Sequence, residues 1–348
     1  MSYELMKIKY TVYRLNLTHS FGISRSTHDW YDVVFVFLKD GDIVGRGEAA
    51  PSKRYNESTE RIISILNKGM ILPSGSFDRE QLWNMLQHQL DGIRSLEAAV
   101  NMATWDWWGQ KRGCHIHELL SVDSENMPKT SFTIAIGDMA EIPEKISEAD
   151  PYDILKVKLG TPDQDKQIMI KIRELTDKLI RVDANEGWDP DTALEMCKWL
   201  EDRNVEFVEQ PFPADQIGNT AELRQKSPLP LYADENSLNS ADIPLIAHAF
   251  DGINIKLMKC GSIEEGKRMI DLARKHDMKI MLGCMVESSI GITAAAQLAG
   301  EVDAADLDGN LLIDNDPYEG VRVKDGRLVL PKGHGSGLSL ISNEEDLL

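Results

Sequence analysis

The N-terminal part of the chain has the hydrophobic pattern of antiparallel strands. Runs rich in β-branched and aromatic residues extend from Lys7 to Leu15 and from Tyr31 to Leu38, and Asp40-Gly41 after the second run is a hairpin signal. The polar segment from Thr18 to Asp29 interrupts this pattern, and we expect it to form a mobile loop. Helical spacing follows in three segments, Thr59 to Asn67, Phe77 to Gln89 and Ser95 to Gln110. Strands followed by helices predict a small α+β domain over residues 1–122.

From Lys129 onward the pattern becomes periodic. Short apolar cores alternate with amphipathic segments at a spacing of roughly 25 residues, as in parallel β/α units. The eight cores lie near Phe132, Leu155, Val182, Phe207, Tyr232, Ile255, Met281 and Leu307. This alternation predicts a parallel barrel over residues 123–320. The alternative is an open doubly wound sheet, but no G-x-G-x-x-G follows the first core. We expect residues 321–348, which include a hairpin around Asp325-Gly326, to fold back on the first domain.

Acidic side chains stand at the carboxyl ends of three successive barrel strands, the end at which barrel enzymes carry their active sites. Asp183, Glu209 and Asp234 end the third, fourth and fifth predicted strands. Three converging carboxylates would repel one another unless a cation joined them, and hard oxygen ligands suit Mg²⁺ or Mn²⁺. The alternative is that such acids are solvated surface groups or helix N-caps. Their occurrence on consecutive strands favours a metal site.

Lysines flank these acids on both sides. Lys156 and Lys158 lie two apart in the second predicted strand, so both ammonium groups project from one face, and Lys256 ends the sixth strand. This arrangement suits removal of a proton from one face of a carbon and its return to the other. Lys158 is the expected base, and the charge of Lys156 would lower its pKa toward neutrality. The alternative is that strand-end lysines bind a phosphate or carboxylate, or extend to the surface.

The composition excludes several classes of function. The formal net charge of −19 disfavours binding to nucleic acid or to an anionic membrane, because the long-range field repels phosphate. The four cysteines are scattered without a CxxC pair, so neither a disulfide scaffold nor a zinc site is indicated. We see no signal-peptide pattern and no apolar run long enough to cross a membrane, and we expect a cytoplasmic protein.

The strand-end residues together resemble the motifs of the enolase superfamily, in its muconate-lactonising subgroup. The family's K-x-K, its metal ligands and its opposing lysine match Lys156-Val157-Lys158, then Asp183, Glu209 and Asp234, and finally Lys256. The resemblance covers nearly the whole chain. It implies a (β/α)7β (modified TIM) barrel with an N-terminal α+β capping domain, one Mg²⁺ per subunit with Mn²⁺ as an alternative, and a homo-oligomer. Ser262 and Asn236 depart from the usual family residues, which bears on specificity rather than on the chemistry.

A pair of acids at the end of the last predicted strand indicates which enzymes of the superfamily the chain resembles most. Asp306 and Asp308 resemble the D-x-D with which dipeptide epimerases of this superfamily bind the ammonium group of their substrate. An anionic pair suits a cation. It does not suit the uncharged or anionic end of a muconate-type or succinylbenzoate-type substrate.

Residues of the capping domain are expected to select the second amino acid of the substrate. Arg25 resembles the position of an arginine that pairs with the glutamate side chain in Ala-Glu epimerases, and a bidentate guanidinium suits a carboxylate. The alternative for Arg25 is a solvated surface role. Tyr55 is expected on a second capping loop, where Lys53 or Arg54 could share this selection.

The resemblance therefore predicts a Mg²⁺-dependent isomerase that epimerises a dipeptide at the α-carbon of its C-terminal residue, with L-Ala-D/L-Glu from cell-wall turnover as the expected substrate. Lys158 and Lys256 would exchange the α-proton, while the metal and Lys156 stabilise an enediolate. Three alternatives stay open. They are epimerisation of hydrophobic or mixed dipeptides, o-succinylbenzoate synthesis or cycloisomerisation on the same scaffold, and a non-catalytic barrel that binds peptides or amino acids.

Overall fold

The computed structural model describes residues 6–73 and 77–341, so residues 1–5 of the predicted first domain and residues 342–348 of the predicted tail lie outside the described residues. The strands are Lys7–Ile23 (β1), Ser26–Asp40 (β2), Ile43–Ala49 (β3), Ser131–Ile134 (β4), Ile154–Lys158 (β5), Leu179–Asp183 (β6), Val205–Glu209 (β7), Leu231–Ala233 (β8), Gly252–Ile255 (β9), Lys279–Gly283 (β10), Ala304–Asp306 (β11), Tyr318–Glu319 (β12), Arg322–Lys324 (β13), Arg327–Val329 (β14) and Ser339–Leu340 (β15). The α-helices are Thr59–Leu66 (α1), Arg79–Gln87 (α2), Arg94–Arg112 (α3), Ile116–Leu120 (α4), Ile142–Glu148 (α5), Pro162–Leu175 (α6), Pro190–Glu201 (α7), Ile217–Arg224 (α8), Ile243–Ile246 (α9), Leu257–Cys260 (α10), Ile263–Lys275 (α11) and Ser289–Ala296 (α12). None of the described helices is long and apolar enough to cross a membrane.

The N-terminal part is an antiparallel sheet, in the order β1-β2-β3, covered by helix α3. Two glycines of β3 allow the helix to approach closely. A Cβ on Gly45 would come within 2.0 Å of the carbonyl oxygen of Ala103, and one on Gly47 within 1.8 Å of that of Ala99. Gly113, directly after helix α3, adopts a left-handed conformation with φ of 66° and ends the helix. The close contact between the backbones of β3 and α3 thus fixes the position of the three-stranded sheet on the helix.

The prediction of a mobile loop from Thr18 to Asp29 was wrong. This segment is the outer half of the hairpin formed by β1 and β2, in which Phe21 pairs with His28 and Ile23 with Ser26. A register shift between Asn16 and Phe21 precedes it. The hairpin extends beyond the core, so its side chains are largely polar, while its backbone hydrogen bonds do not depend on side-chain polarity. The outer half brings the turn at Ser24 and Arg25 to the barrel.

The second part is a barrel of eight parallel strands that are neighbours in chain order from β4 to β11. Residue pairing between Thr130 and Ala305 brings the first and last strands together. Helices α5 to α12 lie in the seven connections, and α10 and α11 share one of them. The predicted (β/α)7β barrel with an N-terminal α+β domain is therefore confirmed.

The C-terminal segment returns to the first domain. Strands β13 and β14 form the hairpin expected around Asp325-Gly326. Farther on, the backbone N–H of Ser336 donates to Asp106 of helix α3 at 2.8 Å, and that of Gly335 donates to the carbonyl of Cys114 at 2.9 Å. These bonds tie the end of the described chain to helix α3 and the residues that follow it.

Candidate active site

The three acids predicted as metal ligands meet at the carboxyl ends of their strands. Strand register sets Asp183 beside Glu209, and Asp234 follows directly after β8. All three side chains are buried, and one oxygen from each lies within 4.8 Å of the others. Side chains at the carboxyl ends of adjacent parallel strands converge in this way because these ends lie on the same rim of the barrel.

This cluster fits a hard cation. Burial, followed by the charge of Asp183, raises the pKa of Glu209, which reflects the cost of gathering three carboxylates out of water. Glu209 Oε2 and the neighbouring Asn185 Oδ1 are buried and accept no hydrogen bond from the described residues, although Lys156 Nζ lies 2.8 Å from the former in an ion pair. Asp183, Glu209 and Asp234 thus form an oxygen-only ligand set that would hold Mg²⁺ or Mn²⁺.

Lys156 and Lys158 point into the barrel from β5, as their spacing predicts. Lys158 Nζ donates to Asp183 Oδ2 at 2.7 Å, and Lys156 Nζ lies 3.2 Å from the same oxygen. Burial alone would lower the pKa of Lys156, but the carboxylates of Asp306, Glu209 and Asp183 outweigh it and hold that pKa well above its ordinary value. Lys156 is therefore a fixed positive charge between the acids.

Lys256 approaches the acids from the opposite side. It follows β9, and its Nζ donates to Asp234 Oδ2 at 2.8 Å. Lys259, one turn farther on, donates to Asp234 Oδ1 at 2.5 Å and to the Asp234 carbonyl at 2.6 Å. The acid cluster therefore separates Lys158 from Lys256, and each of the two lysines contacts a different acid.

Asp306 is the last residue of β11, Asp308 follows two positions later, and Asp306 contacts Lys156. Asp306 accepts hydrogen bonds from Lys156 Nζ at 2.7 Å and from Ser131 Oγ at 2.6 Å, and Asp308 Oδ2 accepts one from the backbone N–H of Thr133 at 2.6 Å. Both acids are nearly inaccessible to solvent. Burial, followed by the charge of Asp306, raises the pKa of Asp308 to about 7. A second cation would relieve this repulsion.

Arg25 lies at the tip of the β1–β2 hairpin, over the barrel mouth. Its guanidinium donates to the Asn185 carbonyl at 2.6 Å, to Glu186 at 2.9 Å and to Glu235 at 3.0 Å. Arg54 binds Glu186 with two hydrogen bonds of 2.8 and 3.0 Å. The glutamates are buried while about a third of each arginine side chain is exposed, so guanidinium groups line the rim.

Tyr55 lies on the second capping segment, a short 3-10 helix from Lys53 to Tyr55. Burial and then the charges of Asp234 and Glu235 raise the pKa of its hydroxyl. The structure therefore brings Arg25 and Tyr55 to the same rim as the acid cluster. Their contact with a substrate stays a prediction.

Comparison with known proteins agrees with this arrangement of acids and lysines. Residues 7–121 match the family model of the mandelate racemase / muconate lactonizing enzyme N-terminal domain, and residues 138–345 match that of the enolase C-terminal domain-like family. The chain belongs to the enolase superfamily.

Relatives of this enolase-superfamily chain are similar over nearly their full length. An L-Ala-D/L-Glu epimerase of Bacteroides thetaiotaomicron is 37% identical over 97% of this chain and 88% of its own, and an L-Ala-D/L-amino acid epimerase of Pedosphaera parvula is 40% identical over 93% and 95%. A solved substrate-liganded complex of the L-Ala-D/L-Glu epimerase from Bacillus subtilis has a TM-score of 0.88 at 27% identity, covering 95% of this chain and 98% of that one. The predicted superfamily and enzyme class, an isomerase, are confirmed.

Sequence reasoning missed two features of this superfamily site: the role of Asn254 and the backbone conformation of residues that follow the acids. Asn254 Nδ2 donates to Glu209 Oε1 at 2.7 Å and so orients one of the acids. Its signal was available, because Asn254 is a polar residue in an apolar strand, two positions before Lys256. Asn185, Glu186 and Gln210 follow the acids with φ of 44°, 65° and 38°, a left-handed conformation that is uncommon for residues other than glycine. The composition of those loops does not reveal it.

Proposed function

We propose that this protein is a Mg²⁺-dependent epimerase that inverts the α-carbon of the C-terminal residue of a dipeptide. The observation that carries the proposal is the position of Lys158 and Lys256 on opposite sides of three buried carboxylates. A carbon held between the two ammonium groups would have one on each face. The names of the Bacteroides and Pedosphaera relatives support the same reaction.

Each proposed role follows from the contacts of the side chain. Lys158 and Lys256 would remove and return the α-proton, one acting on each epimer. Lys156 is held charged by three acids and would stabilise the negative charge that develops on the substrate carboxylate. When bound at Asp183, Glu209 and Asp234, Mg²⁺ supplies positive charge to that carboxylate and so acidifies the α-carbon.

Asp306 and Asp308 would bind the ammonium group of the dipeptide. They form an anionic pair at the end of β11, Asp306 binds Lys156, and Asp308 accepts its hydrogen bond from a backbone N–H rather than from a cation. The elevated pKa of Asp308 supports this role, since a bound cation would stabilise its charged form. This pair favours a dipeptide over the substrates of the synthase and cycloisomerase alternatives.

The proposed substrate is L-Ala-D/L-Glu, and the test is exchange in D₂O. The purified enzyme with Mg²⁺ is incubated in D₂O with a library of L-Ala-L-Xaa dipeptides and with dipeptides that have a larger first residue. Mass spectrometry and chiral analysis then follow the products. We expect deuterium at the C-terminal α-carbon, inversion of that centre, and loss of both when EDTA removes the metal. A library in which no dipeptide exchanges its α-proton would overturn the proposal.

Arg25→Ala is expected to impair turnover of L-Ala-L-Glu more than that of L-Ala-L-Leu. Loss of a charge-assisted contact to the substrate side chain should raise KM for the acidic dipeptide on the order of tenfold or more. The comparison is kcat/KM for both dipeptides in the unmodified enzyme, in Arg25→Ala and in Arg54→Ala, which removes the other arginine bound to Glu186. Equal losses for both dipeptides would mean that Arg25 only tethers the hairpin to the barrel.

A further inference from the structure

A fully buried carboxylate of the capping domain lies outside the proposed chemistry. Glu48, in strand β3, accepts hydrogen bonds from the backbone N–H of Ser288 at 2.9 Å, from Ser288 Oγ at 2.6 Å and from the N–H of Gly291 at 3.0 Å. These donors belong to the barrel, at the start of helix α12. Burial raises the pKa of Glu48 to about 7 despite them. Burying a carboxylate costs free energy, and this one lies at the interface between the capping domain and the barrel.

Ser288, one of the two residues that donate to Glu48, is the last residue of a short segment, Cys284 to Ser288, which we call the β10–α12 segment. Inside it, Glu287 Oε1 accepts a hydrogen bond from the backbone N–H of Met285 at 2.7 Å. Ser288 caps helix α12 by accepting from the N–H of Ile290 at 3.2 Å. Hydrogen bonds at both ends therefore fix the conformation of the segment.

The other side of the β10–α12 segment contacts the turn that carries Asp306 and Asp308. A Cβ on Gly309, the residue after Asp308, would lie 2.5 Å from the carbonyl oxygen of Met285 and 3.0 Å from the nitrogen of Glu287. Cys284 Sγ donates to the Asp306 carbonyl at 3.3 Å, and Asn310 Nδ2 donates to Ser289 Oγ at 3.2 Å. The turn has no room to move unless the segment moves with it.

We infer that Glu48 is a positioning residue for the Asp306–Asp308 pair and acts through the β10–α12 segment. The capping domain thus contributes to recognition of the substrate's ammonium group without touching it. The role of the pair rests on the proposed function, whereas the mechanical link from Glu48 to the turn does not. The alternative is that Glu48 only joins the two parts of the fold.

Glu48→Ala removes the acceptor, and Glu48→Gln keeps a neutral one that can accept from Ser288 and Gly291. The matched control is Glu57→Ala. Glu57 is another buried glutamate of the capping domain, and it accepts backbone N–H bonds from Arg94 at 2.7 Å and Ser95 at 3.3 Å at the start of helix α3. It has the same chemistry and similar burial, but its partners lie within the capping domain.

The first measurement is amide hydrogen exchange of the Mg²⁺-loaded protein, which needs no activity. In Glu48→Ala we expect faster exchange in residues 284–291 and also in residues 306–312, with strand β5 unchanged, and little change in Glu48→Gln. Faster exchange confined to residues 284–291 would overturn the inference. So would equal increases in Glu57→Ala, because they would indicate general loosening of the capping domain.

The second measurement is steady-state epimerisation of the dipeptide. A displaced ammonium site weakens binding at a point remote from the reacting carbon, so KM should rise about tenfold in Glu48→Ala while kcat changes less than about threefold. Glu48→Gln should restore most of the lost affinity. A fall in kcat alone would contradict the inference. Glu48→Ala could show faster hydrogen exchange in residues 284–291 and 306–312 while the unmodified enzyme epimerises no dipeptide. That result would support the mechanical link from Glu48 to the turn and would count only against the proposed function.

Discussion

Lys158→Ala and Lys256→Ala are each expected to abolish epimerisation while leaving exchange of one α-proton. Lys158 contacts Asp183 and Lys256 contacts Asp234, on opposite sides of the acid cluster. Inversion needs a base on one face of the carbon and an acid on the other. A variant with one lysine can still remove and return a proton on the face where that lysine lies.

The measurement follows both epimers of the dipeptide separately in D₂O. Epimerisation should fall at least about 10³-fold in each variant, in the range that a positioned general acid or base contributes. Lys158→Ala should incorporate deuterium into one epimer with retained configuration, and Lys256→Ala into the other. Lys145→Ala is the matched control, because Lys145 is also buried and ion-paired, but its partner is Glu141 rather than one of the three acids of the cluster.

Two outcomes would contradict this scheme in different ways. Near-normal epimerisation in either variant would eliminate that lysine as a required proton carrier. Loss of exchange with both epimers in both variants would mean that the lysines act together as positive charge rather than as separate bases. Complementary retention of exchange, one epimer for each variant, is the result that the two-base scheme requires.

The barrel and its acids were predictable because the hydrophobic periodicity of the sequence indicates the strands, and the three acids lie at the ends of strands. Each strand is a short apolar run, and parallel strands have their carboxyl ends, with the last side chains, on one rim of the barrel. Asp183, Glu209 and Asp234 therefore meet as their positions in the sequence suggest. Lys156 and Lys158 share a face for the same geometric reason, the two-residue period of a strand.

The features that were missed depend on contacts between distant segments. The outer half of the first hairpin is polar, and only backbone pairing makes it a strand. In the sequence, Glu48 resembles any acid near the end of a strand. Only the structure shows that Ser288, remote in sequence, donates a hydrogen bond to it. The left-handed backbone of Asn185 and Glu186 is imposed by the loops around the barrel mouth rather than by local composition.

Asp308→Asn is expected to raise KM for the dipeptide by about 10- to 100-fold, the cost of losing a charge-assisted hydrogen bond to the ammonium group. Asparagine has the same shape and keeps an oxygen to accept from the backbone N–H of Thr133. Asp306→Asn would be a less specific test, because Asp306 also binds Lys156 at 2.7 Å. Steady-state kinetics with the free and the N-acetylated dipeptide measure the effect, and discrimination between the two should shrink in Asp308→Asn.

The pH dependence of KM gives a second readout of Asp308. Burial and then the charge of Asp306 raise its pKa to about 7, whereas the hydrogen bond from Thr133 and then the charge of Lys156 oppose that rise. Below this pH the carboxyl is neutral and should attract an ammonium group less, so KM of the unmodified enzyme should fall as pH rises through about 7. Asp308→Asn should lose this dependence. An Asp308→Asn enzyme with unchanged KM and an unchanged pH profile would mean that no ammonium group binds here, and the synthase and cycloisomerase alternatives would then become the better explanations of the barrel.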